Sequence, residues 1–200
     1  MRLAIIVSGR GSNFVAIQEA ITRGELDAEI VCVISNRPGA PGIESARSFG
    51  LSAFVADHRA FASRAAHEAE VLRILEDARP DFIVLAGYMR LLSPQFVAKY
   101  PLRILNIHPS LLPSFPGVDA QAQAVAAGVK VSGCTVHFVD ENLDAGPIIV
   151  QRTVRVCDDD TPSTLAARIL IEEHIAYVEA LVALSAGRYR LDGRRVLLGC

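Results

Sequence analysis

An amide, an imidazole and a carboxylate make Asn106, His108 and Asp144 the most chemically suggestive residues of this chain. Asn106 and His108 open the run Asn106-Ile107-His108-Pro109-Ser110-Leu111-Leu112-Pro113-Ser114-Phe115-Pro116-Gly117. Two apart in extended backbone, their side chains project to the same side. An amide N–H donates to a developing oxyanion, and an imidazole gives or takes a proton near neutral pH. Asp144, in Leu143-Asp144-Ala145-Gly146-Pro147, supplies a carboxylate that would favour the imidazolium if it reached His108. The combined chemistry is acyl transfer. Plainer readings stand beside it: a surface histidine before a proline-stiffened turn, and an ordinary turn aspartate. Spacing alone leaves both open.

Ser8-Gly9-Arg10-Gly11-Ser12-Asn13 is the second candidate. Small residues let backbone approach a ligand, and helix-terminal amides favour an anion. The run lacks the third glycine of a dinucleotide fingerprint and the Gly-Lys-Ser/Thr ending of a P-loop, so a tight turn explains it equally well. Among the other histidines, His58 and His67 are expected to be solvated and His174 to sit on a polar helix face. His137, on an alternating strand, suits core, lining or ligand. No His-x-x-x-His or His-Glu-x-x-His pair suggests a metal. Ser8, Ser12 and Ser110 lack the Gly-x-Ser-x-Gly context of a serine nucleophile. Arg64 and the other scattered arginines read as surface.

The elements that must position these residues follow from periodicity. Short apolar runs at Leu3–Val7, Glu29–Ser35, Leu51–Val55, Phe82–Ala86 and Arg103–Ile107 predict strands. Helices are expected between them: from Ser12 or Asn13, as caps, to Gly24; over Gly42–Phe49; and through Val71, Ile74, Leu75 and Ala78 to Pro80. Strands apolar on both faces and separated by helices mean a parallel sheet covered on both sides. Further on, Ser132–Val139 alternates, setting Val136 and Phe138 against Thr135, His137 and Val139. After a turn of about four residues, Pro147–Val156 would pair with it as an antiparallel hairpin. Thr161-Pro162 starts a helix carrying Leu165, Ile169, Val178, Leu181 and Val182 to Gly187. A last hairpin turns at Asp192-Gly193. The expected class is α/β: an open, mostly parallel Rossmann-like sheet with helices on both faces and antiparallel strands in the C-terminal half.

Composition narrows the partners. Two hundred residues, 51% hydrophobic and 21% charged, suit one soluble domain with a full core. A net charge of −2 gives no basic excess for a phosphate backbone, so nucleic acid is not an expected partner. Cys32, Cys134, Cys157 and Cys200 are scattered without a Cys-x-x-Cys pair and suit reduced thiols. The apolar run after Met1 is too short for a signal peptide, and no run suits a membrane span. The expectation is cytoplasmic, without membrane partners.

Four segments then occur in one order: Ser8–Asn13; Ala86-Gly87-Tyr88-Met89-Arg90-Leu91-Leu92-Ser93-Pro94; Leu105–Pro113; and Gly133–Val139 before Asp144-Ala145-Gly146-Pro147. That order resembles the folate-dependent formyltransferases, specifically the glycinamide ribonucleotide transformylase family of purine synthesis, over almost the whole chain. The resemblance implies that 10-formyltetrahydrofolate, as co-substrate, gives its formyl group to the amine of glycinamide ribonucleotide, without a metal. By position, Asn106, His108 and Asp144 match the family's catalytic trio. Gly11, Ser12 and Asn13 match the loop for the ribonucleotide phosphate, and Glu173 a residue near the glycinamide. Arg64, Met89, Arg90, Leu91 and Leu92, with Asn106 and Asp140, match the folate site, the loop Asp140–Asp144 closing round the pterin. Residues 1–100 would form the ribonucleotide half of a single domain, 1–200, and 101–200 the folate and catalytic half. Asp119 departs from the pattern, which often has histidine there, so no role is carried to it. Formyltetrahydrofolate hydrolases look similar around the trio but typically carry an N-terminal regulatory domain, whereas the first strand here follows Met1 directly. Methionyl-tRNA formyltransferases would need a C-terminal RNA-binding domain. A non-catalytic folate- or nucleotide-binding module is the reading from another class. Monomer and homodimer both fit, with an edge strand or the apolar 80–100 region as the candidate contact.

Overall fold

A computed structural model describes residues 1–187 and 189–198; Cys200 lies outside the described residues. The fold is α/β, with a mostly parallel sheet, antiparallel strands toward the C-terminal end and flanking helices. The chain divides into two compact units, Met1–Leu105 and Asn106–Cys200, and the border falls inside β5 (Ile104–His108).

In the first unit the strands β1 (Arg2–Val7), β2 (Glu29–Ser35), β3 (Ala53–Val55) and β4 (Phe82–Leu85) lie in the order β3-β2-β1-β4, all parallel. Leu3 to Val7 and all of β4 are buried, as strands covered on both faces should be. The expected third strand shrinks to Ala53–Val55, and Phe54 and Val55 are exposed, because it is the edge of the order. The helices are α1 (Ser12–Thr22), α2 (Pro41–Ser48), α3 (Arg64–Ala78) and α4 (Pro94–Lys99). The cap of α1 is neither Ser12 nor Asn13. Gly11 takes that place at φ 69°, with no side-chain cap bond. A Cβ on Gly11 would stand 3.3 Å from the Gly42 Cα, so left-handed backbone and crowding both call for glycine.

The second unit holds β5, α5 (Ala120–Ala127), β6 (Val131–Phe138), β7 (Ile148–Arg155), α6 (Pro162–Ser185), β8 (Tyr189–Asp192) and β9 (Arg195–Leu198), in the sheet order β5-β6-β7-β9-β8. The β6–β7 pair is antiparallel, with a register shift at Val136/His137. Its connection is longer than the expected four-residue turn and takes in residues 139–147. Residues Ser132–Phe138 are buried throughout, so the alternation in β6 separates two covered faces rather than core from solvent. Helix α6 opens on a capping box at Thr161 and Thr164, with Pro162 in its first turn. Leu165, Ile169 and Leu181 are buried as expected; Val178 is half-buried and Val182 exposed, their places taken by Ala176, Tyr177, Ala180 and Leu184. Helices α4 and α5 escaped the periodic pattern, one for shortness and the other because Ala120–Ala127 is uniformly small and weakly amphipathic.

Candidate active site

Asn106 and His108 leave the end of β5 on one side, and the structure brings Asp144 to them across the loop 139–147. His108 is 4% exposed. Its Nδ1 lies 3.3 Å from Asp144 Oδ2, and its Nε2 donates to the Phe115 carbonyl at 2.8 Å. A neutral ring with the proton on Nε2 would aim its Nδ1 lone pair at a carboxylate. The doubly protonated ring instead satisfies both contacts. Asp144 Oδ2 also accepts the Gly117 N–H at 2.8 Å, so a backbone amide fixes the carboxylate before it meets the imidazole.

Asp144 reaches this position through local backbone geometry. Its own φ is 48°, in the left-handed region that aspartate tolerates better than most side chains. Gly146, two residues on, sits against the end of β6: a Cβ there would lie 1.8 Å from the Phe138 carbonyl oxygen. No side chain fits, and glycine therefore sets how closely the loop approaches β6. Opposite, Phe115 at φ 54° and Gly117 at φ 84° turn the carbonyl of one toward His108 and the N–H of the other toward Asp144.

His137, which sequence left as core, lining or ligand, completes the group. It is 2% exposed, and its Nδ1–H donates to the Phe138 carbonyl at 2.9 Å. That leaves Nε2 bare, and Nε2 accepts from Asn106 Nδ2 at 3.3 Å. The contact orients the amide and leaves its second N–H and its Oδ1 unclaimed by His137. Burial pushes the His137 pKa below the ordinary histidine value; Asp144 and Asp140 pull it upward more weakly. The 3.9 Å approach of Asp144 Oδ1 to His137 Nε2 is long for an ion pair, and burial disfavours the charged ring that one would need.

The loop 109–117 is tied down by Thr135. The Thr135 hydroxyl donates to Ser110 O at 2.7 Å and accepts the Leu112 N–H at 3.0 Å, while Gln151 Nε2 donates to Leu112 O at 2.9 Å. The Leu112–Pro113 bond is cis. Of the other second-unit candidates, Asp140 is half-buried and accepts the Asn142 N–H at 2.9 Å. Glu173 is half-buried on α6 near Cys134 and Tyr177; with burial, it raises the pKa of both. Asp119 stands at φ 55° before α5 and gives it no side-chain cap bond.

The remaining candidates belong to the first unit. Gly11, Ser12 and Asn13 begin α1, where the first amides of a helix have no partner within it. Ser8, which sequence set aside, donates to Asn36 Oδ1 at 2.6 Å and accepts the Met89 N–H at 2.9 Å. Met89 and Leu91 are 74% and 64% exposed, Arg90 and Leu92 half-buried. Arg64 is exposed, as expected of a surface arginine, but its guanidinium is tied down: it donates to Glu68 Oε1 at 2.9 Å and to Leu91 O at 2.5 Å. His67 is 1% exposed rather than solvated, donating from Nε2 to Ala56 O, and its pKa is lowered by burial. His58 and His174 are each half-buried, and His58 Nδ1 bonds Asn36 O at 2.8 Å. Cys32 and Cys134 are buried free thiols pushed up to about 12 by desolvation, and Cys157 is an exposed one. Among the described residues no helix is long and apolar enough to cross a membrane.

The chain is similar to known proteins over most of its length. The family model described as formyl transferase matches residues 1–181. Over 189 residues the chain is 48% identical to the trifunctional purine biosynthetic protein adenosine-3 of Drosophila melanogaster, covering 93% of this chain and 14% of that protein. It therefore spans about one seventh of that relative's length. The crystal structure of glycinamide ribonucleotide transformylase 1 from Symbiobacterium toebii superposes with a TM-score of 0.96 at 45% identity, covering 99% of this chain and 93% of that one. Formyltetrahydrofolate deformylase from Burkholderia mallei also superposes, with a TM-score of 0.90 at 34% identity, over all of this chain and 70% of its own.

Proposed function

Because this chain belongs to the formyl transferase family, we propose that it transfers the formyl group of 10-formyltetrahydrofolate to the amine of glycinamide ribonucleotide. The observation that carries the reading is the His108–Asp144 pair at 3.3 Å beside an Asn106 amide oriented by His137. Attack of the amine on the formyl carbon puts negative charge on the formyl oxygen. The unclaimed Asn106 N–H donates to it, and His108, exchanging the Phe115 carbonyl for this stronger acceptor, adds a charged donor. One such donor contributes about 3 kcal/mol, or 10²–10³ in rate. Asp144 holds the imidazolium in place and favours its charge through the step. The attacking nitrogen loses a proton and the departing folate nitrogen gains one, carried by His108 or by a water beside it: as imidazolium, His108 must give its own proton to the folate nitrogen before it can take one from the amine.

Residues 1–100 of the single domain contribute the ribonucleotide half in this reading. The backbone amides of Ser12 and Asn13 and the left-handed Gly11 take the phosphate, for the reasons that make helix starts anion sites. Arg64 and Met89 to Leu92 contact the folate, Asp140 closes on its pterin, and Glu173 lies near the glycinamide amine. Residues 101–200 form the catalytic half. The reaction needs no metal here, because the imidazolium supplies the positive charge. The protein acts on small molecules in the cytoplasm, as monomer or homodimer.

The likeness to a deformylase favours one second reading: water rather than an amine accepts the formyl group. Mixing the protein with 10-formyltetrahydrofolate, with and without glycinamide ribonucleotide, separates the two. Release of tetrahydrofolate only when the ribonucleotide is present supports the transferase. Equal release without it overturns the proposal in favour of the hydrolase, and none in either mixture leaves a binding module.

A further inference from the structure

We infer that Glu68, which no motif singles out, is a positioning residue that sets the folate-binding segment 89–92; this rests on the proposed placement of folate against that segment. The segment between β4 and α4 has no regular secondary structure, and its backbone bonds to Ile6 and Ser8 end at Gly87. Side chains hold it at alternate residues instead. Ser8 accepts the Met89 N–H, Arg64 donates to the Leu91 carbonyl, and Glu68 accepts the Ser93 N–H at 3.0 Å.

Glu68 controls two of these three ties. Its side chain is only 8% exposed, and a carboxylate that deep persists when it is paired and fully hydrogen-bonded. Here its partners are the Arg64 guanidinium, the Ser93 N–H and the Ser93 hydroxyl. The guanidinium, held through Nε, presents its Nη2 to Leu91 O. A serine hydroxyl has a single proton, and Ser93 gives it to Glu68, so its lone pair faces the Phe96 N–H at 3.1 Å and caps α4. One buried acid therefore fixes both the middle and the end of the segment.

The result is a rigid stretch of chain whose apolar side chains point outward. Met89 and Leu91 would collapse onto the protein if the backbone were free to turn them in, since exposed apolar area is unfavourable. Held out, they meet a flat aromatic ligand without ordering on arrival, which preserves affinity. Specificity for the folate thus depends on a carboxylate that does not touch it.

The test is tetrahydrofolate binding by titration calorimetry on folded Glu68→Gln and Ser93→Ala, with KM for both substrates where turnover is measurable. Losing a charge-assisted bond predicts a roughly tenfold rise in the tetrahydrofolate Kd for Glu68→Gln, a smaller rise for Ser93→Ala, and recovery in Ser93→Thr, which keeps the hydroxyl. The KM for glycinamide ribonucleotide should hold while that for formyl folate rises. A tetrahydrofolate Kd within about twofold of wild type in both variants overturns the inference, as does equal weakening of both substrates, the mark of a merely structural residue. If Glu68→Gln does not fold, the Ser93 pair decides alone. Wild-type protein that binds tetrahydrofolate but transfers nothing refutes the transfer reading and leaves this test standing.

Discussion

Strands β4 and β5 end in opposite ways. After β4 the chain turns apolar side chains outward and fastens its backbone with buried polar groups. At the end of β5 it buries the polar side chains themselves and fastens them with backbone. Met89 and Leu91 are exposed on a segment held by Ser8, Arg64 and Glu68. His108 and His137 are almost inaccessible, held by the Phe115 and Phe138 carbonyls, with the Gly117 N–H fixing Asp144. A surface that recognises a flat ligand needs shape and can leave chemistry out. A centre that stabilises transient charge needs its dipoles fixed in advance and shielded from water, where they act most strongly.

The contrast predicts unequal sensitivities. His108→Ala should lower kcat by about 10³ or more, and Asp144→Asn by about 10²–10³, in steady-state assays at neutral pH. Asparagine keeps an acceptor for the Gly117 N–H, so Asp144→Asn should retain the wild-type melting temperature and ribonucleotide affinity. Full activity in either variant would remove that residue from the chemistry.

Gly146→Ala probes the buried centre from a distance. Its Cβ would overlap the Phe138 carbonyl, so the loop must move and carry Asp144 with it. A loss of about 2–3 kcal/mol in denaturant melts, with turnover falling in parallel, is expected. Wild-type turnover would mean that the loop position does not matter.

His137→Leu stays near the volume of histidine and removes the acceptor that orients Asn106. A fall of about tenfold in kcat with little change in substrate KM is expected, and no change would release Asn106 from its partner. The same histidine predicts a pH effect shared with His67. Both pKa values are lowered by burial, so below the ordinary value of 6.5 the unfolded chain takes up protons that the folded one refuses. Stability is full above that pH and is lost as pH falls from it toward the lowered folded values. Melts between pH 7.5 and 5 should show the decline, and His67→Gln should shallow it. A pH-independent melting temperature would contradict the burial of both rings.

Met89→Ala should have the smallest effect. With the side chain mostly solvent-exposed, stability should change by less than about 0.5 kcal/mol, while the KM for the formyl folate rises a few-fold. A large stability loss would show that the segment leans on its side chains rather than on its backbone ties.

Much of this was legible in the sequence, for physical reasons. Apolar runs covered on both faces announce parallel strands wherever they occur, and β1, β2 and β4 stand where the runs do. Period two in a strand placed Asn106 and His108 on one side without any structure. What pattern could not supply was pairing across the chain. Asp144 looked like a turn aspartate because its left-handed backbone is a turn; only the Gly117 amide and the Gly146 contact make it a partner of His108. His67 was read as solvated because it falls in an exposed-looking helical stretch, yet its ring is buried against Phe61 at 5.5 Å. Glu68 was invisible, and Ser8 was seen only as part of a glycine-rich run, because an ordinary polar residue gains its role only from what lies opposite.

The Thr135 hydroxyl has a consequence for how this sequence can drift. It serves Ser110, Leu112 and Gln151 at once, so the turn 109–117 and the hairpin strands are read by one atom. A valine at 135 would keep the shape and strand the Ser110 carbonyl and the Leu112 N–H together, while Gln151 keeps the Leu112 carbonyl. Because the turn is held through main-chain atoms of residues 110 and 112, most side-chain changes there leave the bonds intact, and proline at 112, which removes the N–H, is the exception. Libraries that randomise the turn should hold positions 135 and 151 constant and keep proline out of 112.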